Sequence, residues 1–164
     1  MYLNEHYKKY PNLEPWVGGK FGEKGVKKLL VIGESHYLPK DSIAARDIGR
    51  WYVGSQENLS PTEKRWINTS GIIRNNIPEN FRNKSHWIYR NVAKEINDTF
   101  MDYENPAEVL EHVAFMNYFQ RPAESEGGSI RVTALDKEVA ETVLTDVVAV
   151  SYTHLTLPTK PSVG

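Results

Sequence analysis

VIGESHY, residues 31–37, closes an apolar run with Glu34, Ser35, His36 and Tyr37, four polar side chains placed where a buried strand would end. The same segment begins at Val26 as VKKLLVIG. Its continuous apolar end, residues 29–32, fits a central strand buried on both faces better than an edge strand of alternating polarity. Open α/β sheets bind ligands in the crevice beyond the carboxyl ends of their strands, so the chemistry is sought at Gly33 and the residues after it.

Further along the chain, VAFMNYF at residues 113–119 reads as a second core strand with a polar exit at Asn117, Gln120 and Arg121. Between the two runs lies a sharp helix signal: Ser60 as cap, Pro61 at the first helical position and Glu63 reaching back to the cap. That helix puts Trp66, Ile67, Ser70 and Ile73 on one side and is closed by Ile77-Pro78. Ser85 is expected to cap the next helix, with Trp87, Ile88, Val92, Ile96 and Phe100 as its inward stripe. Asp41 is read as the cap of a short helix running through Ile48, followed by buried Trp51 and Tyr52. Residues 106–112 form another short helix. Residues 10–25, broken by Pro and Gly, form a packed loop anchored by Trp16 and Phe21. Residues 124–128 make a turn. Thr133 with Asp136 opens a last amphipathic helix through Leu144, and Val147-Val148 starts a third strand. Strands alternating with helices define a layered α/β domain with a parallel sheet and no internal repeat. Trp16, Trp66 and Trp87 are assigned to its core.

The bulk composition is that of one soluble domain: 164 residues, 40% hydrophobic and 25% charged. No window holds eighteen apolar residues, and the first fifteen residues are polar and charged rather than a signal peptide, which points to the cytoplasm and away from membranes. The absence of cysteine excludes disulfides, thiolate zinc sites and a cysteine nucleophile. Net charge is −1, but residues 1–100 carry 16 Lys+Arg against 11 Asp+Glu, and the remainder 4 against 10. The basic excess is too diffuse to form a nucleic-acid footprint by itself. His6, His86 and His112 lack ligand spacing, so neither metal nor cofactor is expected. Residues 150–159, VSYTHLTLPT, back-translate codon for codon into one frame of a transposon-end sequencing adapter. Residues 150–164 are therefore read as an artefactual tail, with a disordered one as the alternative, on a domain spanning residues 1–149, and His154 is set aside as a ligand or base.

On these motifs the chain resembles the uracil-DNA glycosylase superfamily, in a branch whose first motif reads GESHY or GESWY. The strand ending in Gly33-Glu34-Ser35-His36-Tyr37 is similar to that family's GQDPY motif and shares its first two residues with the GEAPG variant. VAFMNYFQRP, residues 113–122, resembles the LLLNT strand, so that Asn117 falls on the asparagine that reads the flipped base. Residues 129–148 resemble the loop, helix and strand that follow. The resemblance spans roughly residues 26–148 and implies a three-layer α/β/α fold with a mainly parallel central sheet, incomplete at its C-terminus. It also implies a DNA-repair hydrolase, with DNA or a nucleotide base as partner.

A glycosylase must unstack a nucleotide, read its Watson–Crick edge in a snug pocket and stabilise charge as the N-glycosidic bond breaks. An amide such as Asn117 offers a base both donor and acceptor. Tyr37 would wall the pocket, the backbone around Gly33 and Glu34 would bind a carbonyl or anion, and Trp51 or Tyr52 would stack. Arg121 completes the expected substrate-binding set. Two departures stand out. The family's water-positioning aspartate falls on Ser35, leaving Glu34 and His36 as substitute catalytic groups, and the HPSP-type motif would lie beyond Ala149. The fragment is accordingly expected to be inactive. Gly33-Glu34-Ser35 also resembles the GDS block of SGNH hydrolases, with Ser35 as nucleophile, although Glu34 stands where that family has Asp and MNYF supplies no Gly-x-Asn-Asp block. A non-catalytic nucleotide-binding module is the third reading, since fold does not fix function. The glycosylase-like readings require Glu34 and Asn117 to converge on one cleft. Loss of an interior strand would leave an open sheet edge.

Overall fold

A computed structural model describes residues 5–54, 58–124 and 128–151. Of the tail expected at residues 150–164, Val150 and Ser151 belong to the last helix and the remainder lies outside the described residues, as does the middle of the turn expected at residues 124–128. The protein is a mixed α/β structure. Its elements are α1 (Glu5–Lys9), β1 (Trp16–Val17), β2 (Leu29–Gly33), α2 (Pro61–Ile67), α3 (Thr69–Asn76), α4 (Trp87–Phe100), β3 (Val113–Asn117) and α5 (Ala134–Ser151), with 3-10 turns between them, notably Ala44–Val53 and Pro106–His112.

The sheet has the order β1-β3-β2. β2 and β3 run parallel from Leu29 opposite Val113 to Gly33 opposite Asn117, whereas β1 pairs antiparallel to β3 through Trp16 with Phe115 and Val17 with Ala114. The expected mainly parallel sheet is therefore a mixed one. Trp16 and Val17 extend along β3 within the segment read as a loop. Gly18 permits this approach, because a Cβ there would fall 2.2 Å from the Glu111 carbonyl oxygen.

Alternate residues of the sheet enter two separate apolar clusters, following the period of a strand. Met116 and Leu30 pack with Tyr7, Tyr10, Leu38, Trp51, Ile67, Val143 and Val147 on one face. Phe115, Val113, Leu29 and Val31 pack with Trp16, Ile73, Phe81, Ala93 and Leu110 on the other. β3 is buried throughout. Among the described residues β2, expected at the centre of the sheet, is an edge strand, and its Ile32 is 48% exposed. Its unbroken apolar run reflects helices against its faces, which says nothing about whether both of its edges are paired.

The capping box at Ser60 and Glu63 is present, with both reciprocal hydrogen bonds. The helix it starts stops at Ile67, however. Asn68 leaves helical geometry and its side chain caps a second helix by accepting from the Gly71 amide at 2.8 Å. Trp66 is consequently exposed rather than in the core. Ahead of α4 the capping side chain is Asn83, which accepts from both the amide and the hydroxyl of Ser85, the residue expected to be the cap. The inward stripe of α4 is Tyr89, Ala93, Ile96 and Asn97, leaving Trp87, Ile88 and Phe100 exposed. Two contacts set that rotation. Tyr89 packs against Phe81 and Phe115, and the Asn97 amide exchanges hydrogen bonds with both backbone groups of Tyr103. Ser42, not Asp41, receives the Ala45 amide at the entry to the Ala44–Val53 turn. Finally, Val147-Val148 continues α5 instead of starting a strand. Ala140, Val143 and Val147 recur at helical spacing on one buried face, so packing of Val147 keeps the segment helical while Val148 faces outward.

Candidate functional site

The two strands that carry the motifs continue side by side past their carboxyl ends. The Tyr118 amide donates to the Gly33 carbonyl at 2.8 Å, Phe119 to Glu34 at 2.9 Å, and Ala123 to His36 at 2.9 Å. His36 and Pro122 form an isolated parallel bridge. Gly33 and Asn117 are register partners, and a Cβ on Gly33 would lie 2.4 Å from the Asn117 side-chain oxygen. Glycine at position 33 is thus the condition for the asparagine amide to lie over the end of β2.

Asn117 is 8% exposed, and its amide nitrogen donates to Thr69 Oγ1 at 3.3 Å and to the His36 ring, 3.2 Å from Nδ1. His36 also donates to the Ile67 carbonyl. Accepting from an amide while donating to a carbonyl requires the neutral imidazole. Burial agrees, holding the His36 pKa down at about 4, with the hydrogen bond to Ile67 opposing and the nearby His6 reinforcing the shift. His6 is itself lowered to about 4, chiefly by burial. His6 and Tyr7 of α1 lie against the buried Gln120, whose amide donates to the Asn117 carbonyl at 2.6 Å. The crevice beyond the strand ends is therefore roofed by α1 and by the α2–α3 junction, and its floor is a buried polar cluster.

The residues picked out from sequence divide clearly. Gly33, His36 and Asn117 meet in this cluster. Ser35 is buried, but among the described residues its hydroxyl has no hydrogen-bond partner, so no base is positioned to activate it as a nucleophile. Glu34 is exposed, and its side chain does not converge with the buried Asn117 as the glycosylase-like readings require. Tyr37 is half-buried. Trp51 is completely buried and donates its indole N–H to the Gln120 carbonyl at 2.9 Å, so it is a core wall instead of a stacking surface. Tyr52 donates to Asp136 at 3.2 Å. Arg121, expected to bind substrate, is buried in an ion pair with Asp136, at 2.7 Å from Nε and 3.0 Å from Nη2, and also donates to Glu124 and to the carbonyls of Pro122 and Arg131. Its donors are consumed by the fold.

Thr69, the Ile67 carbonyl and His6 were missed in the sequence because their contacts depend on where α1, α2 and α3 dock. The one hint was Asn68, a cap residue inside an apolar helical pattern. A cleft of about 830 Å³ opens nearby between Pro39, Ile43, Val53 and Ser60, but none of the strand-end residues lines it. Among the described residues no group of three or more His, Asp or Glu is placed to hold a metal ion, and no helix is long and apolar enough to cross a membrane. Comparison with protein-family models, curated proteins and solved structures finds no match.

Proposed function

We propose that this chain is a base-recognition module with the uracil-DNA glycosylase-like three-layer arrangement, in which the Asn117 amide reads a nucleobase edge without the Glu34 wall expected from the sequence, and no hydrolysis occurs. The observation that carries the reading is the Gly33–Asn117 pair at the carboxyl ends of two parallel strands, where a missing Cβ makes room for one amide. Helices against both faces of the sheet are compatible with the three-layer arrangement. Three features argue against cleavage by these residues. Ser35 stands where an aspartate would position water, Glu34 is exposed, and His36 is neutral with its ring already engaged. A base reaching Asn117 competes with Thr69 and His36 for the amide, so the reading entails weak binding. Titration calorimetry with uridine and with a uracil-containing single-stranded oligonucleotide tests it, together with an assay for released uracil. Saturable binding that disappears in Asn117→Ala of unchanged circular dichroism, with no free uracil, is expected. Absence of binding to either probe refutes recognition, and release of uracil refutes the non-catalytic reading.

A further inference from the structure

The direction in which the Asn117 amide points decides what the strand-end site accepts as a ligand. Both hydrogens of its side-chain nitrogen are committed, one to Thr69 Oγ1 at 3.3 Å and the other to the His36 ring, 3.2 Å from Nδ1 and 3.4 Å from Nε2. Among the described residues the side-chain oxygen accepts no hydrogen bond, and it is not sealed from solvent as the unpartnered Ser35 hydroxyl is. That oxygen leans over the end of β2, where a Cβ on Gly33 would come within 2.4 Å of it. Given base recognition at Asn117, on which this rests, we infer that the site presents a lone acceptor and takes a base with an exocyclic amino group, such as cytosine, in preference to uracil, which has a carbonyl there.

His36 sets this polarity. One of its ring nitrogens donates to the Ile67 carbonyl, so the other, in the neutral ring, carries only a lone pair. An amide nitrogen satisfies a lone pair and an amide oxygen does not. Turning Asn117 over would therefore set two acceptors against each other inside a buried cluster. Thr69 is indifferent, since a hydroxyl both donates and accepts. Of the donor and acceptor that an amide carries, only the acceptor is left for a ligand. Asn117 is 8% exposed, an opening that suits a projecting group better than a whole base edge. The amino group of cytosine projects and donates to the free oxygen. The carbonyl of uracil at the same place needs the amide nitrogen and must take it from Thr69 and His36, and the ring N–H of uracil is recessed between two carbonyls that would be pressed against the Asn117 oxygen. His36 is thus a positioning residue that selects the base through Asn117.

Titration calorimetry of the 164-residue chain at neutral pH with cytidine and with uridine reads the preference. Both should saturate, cytidine about tenfold more tightly, the worth of one hydrogen bond against an unpaired carbonyl. His36→Gln, whose amide donates to Ile67 and turns its oxygen to Asn117, should keep that ratio. His36→Leu of unchanged circular dichroism should bring the ratio close to one, because the Asn117 amide is then free to turn its nitrogen to the ligand. A histidine that only supported the fold would lower both affinities alike. Uridine binding as tightly as cytidine in the wild type overturns the cytosine preference and leaves base recognition standing, whereas binding of neither nucleoside overturns both. A ratio unchanged in folded His36→Leu overturns the role of His36, and if that variant fails to fold the wild-type ratio still decides the preference.

Discussion

His36 joins three segments distant in sequence: its ring accepts from Asn117, donates to Ile67 and lies near His6. Such a group makes stability depend on pH in a definite direction. In the unfolded chain the imidazole has its ordinary pKa near 6.5, whereas in the folded chain it is lowered to about 4. Below pH 6.5 the unfolded state binds more protons, so stability is fully present above that value and falls as the pH drops towards 4. For His36 the loss reaches about 3 kcal/mol, and His6, shifted the same way, adds to the slope. Urea midpoints measured between about pH 7.5 and about pH 4.5 should fall steeply for the wild type. The slope should be shallower for His36→Gln, whose amide can keep both hydrogen bonds without titrating. Equal slopes in the two proteins would mean that the ring is hydrated.

The entry to α2 is held by a hydrogen-bonded knot that reaches beyond the helix. Ser60 accepts from the Glu63 amide at 3.2 Å, and Glu63 accepts from the Ser60 amide at 2.7 Å and from the Ser42 hydroxyl. Burial alone would raise the Glu63 carboxyl, but the Ser42 hydroxyl and the amides of Ser60 and Ala44 outweigh it and hold the group below the usual carboxylate range. Ser60→Ala removes one cap acceptor and should cost about 1 kcal/mol. Glu63→Ala should cost more, because it also frees Ser42 and with it the entry of the Ala44–Val53 turn. Chemical denaturation ranks the two variants, and the reverse order would place the anchor in Ser60 instead. This element was legible in the sequence because every bond of the box spans three residues. The rotation of α4 was not, since Trp87 and Ile88 fit a helical stripe as well as Tyr89 and Ala93 do. Aromatic neighbours on β3 and after α3 decide between them.

Across the molecule, the exit of β3 and the start of α5 are tied by the buried Arg121–Asp136 pair. Asp136 has no exposure, and Arg121 with Thr133 keeps its carboxyl ionised against the burial that would otherwise raise it. Removing one partner leaves a buried charge unpaired, so Arg121→Met should cost about 3–5 kcal/mol. Arg121→Met combined with Asp136→Asn should recover part of that, which a double-mutant cycle in urea measures. An Arg121→Met protein as stable as wild type would mean that Asp136 reaches water. The same pair shows why Arg121 reads in sequence as a ligand-binding group. A cation after a strand looks the same in sequence whether its carboxylate belongs to a ligand or to a helix fifteen residues on.

The two apolar strands with polar exits, the Ser60–Glu63 box and the Thr133–Asp136 opening of α5 follow from the residues alone, because they rest on burial of short runs or on bonds spanning a few residues. Tertiary structure alone decided that β3 and not β2 is central, that Val147-Val148 stays helical, that Trp51 and Arg121 are internal, and that the crevice at Asn117 is roofed. The physical reason is the distance over which those outcomes are set. Asn117 meets His36 across 81 residues of chain, and only docking of β2, β3, α1 and α3 determines which polar groups face one another when water is excluded.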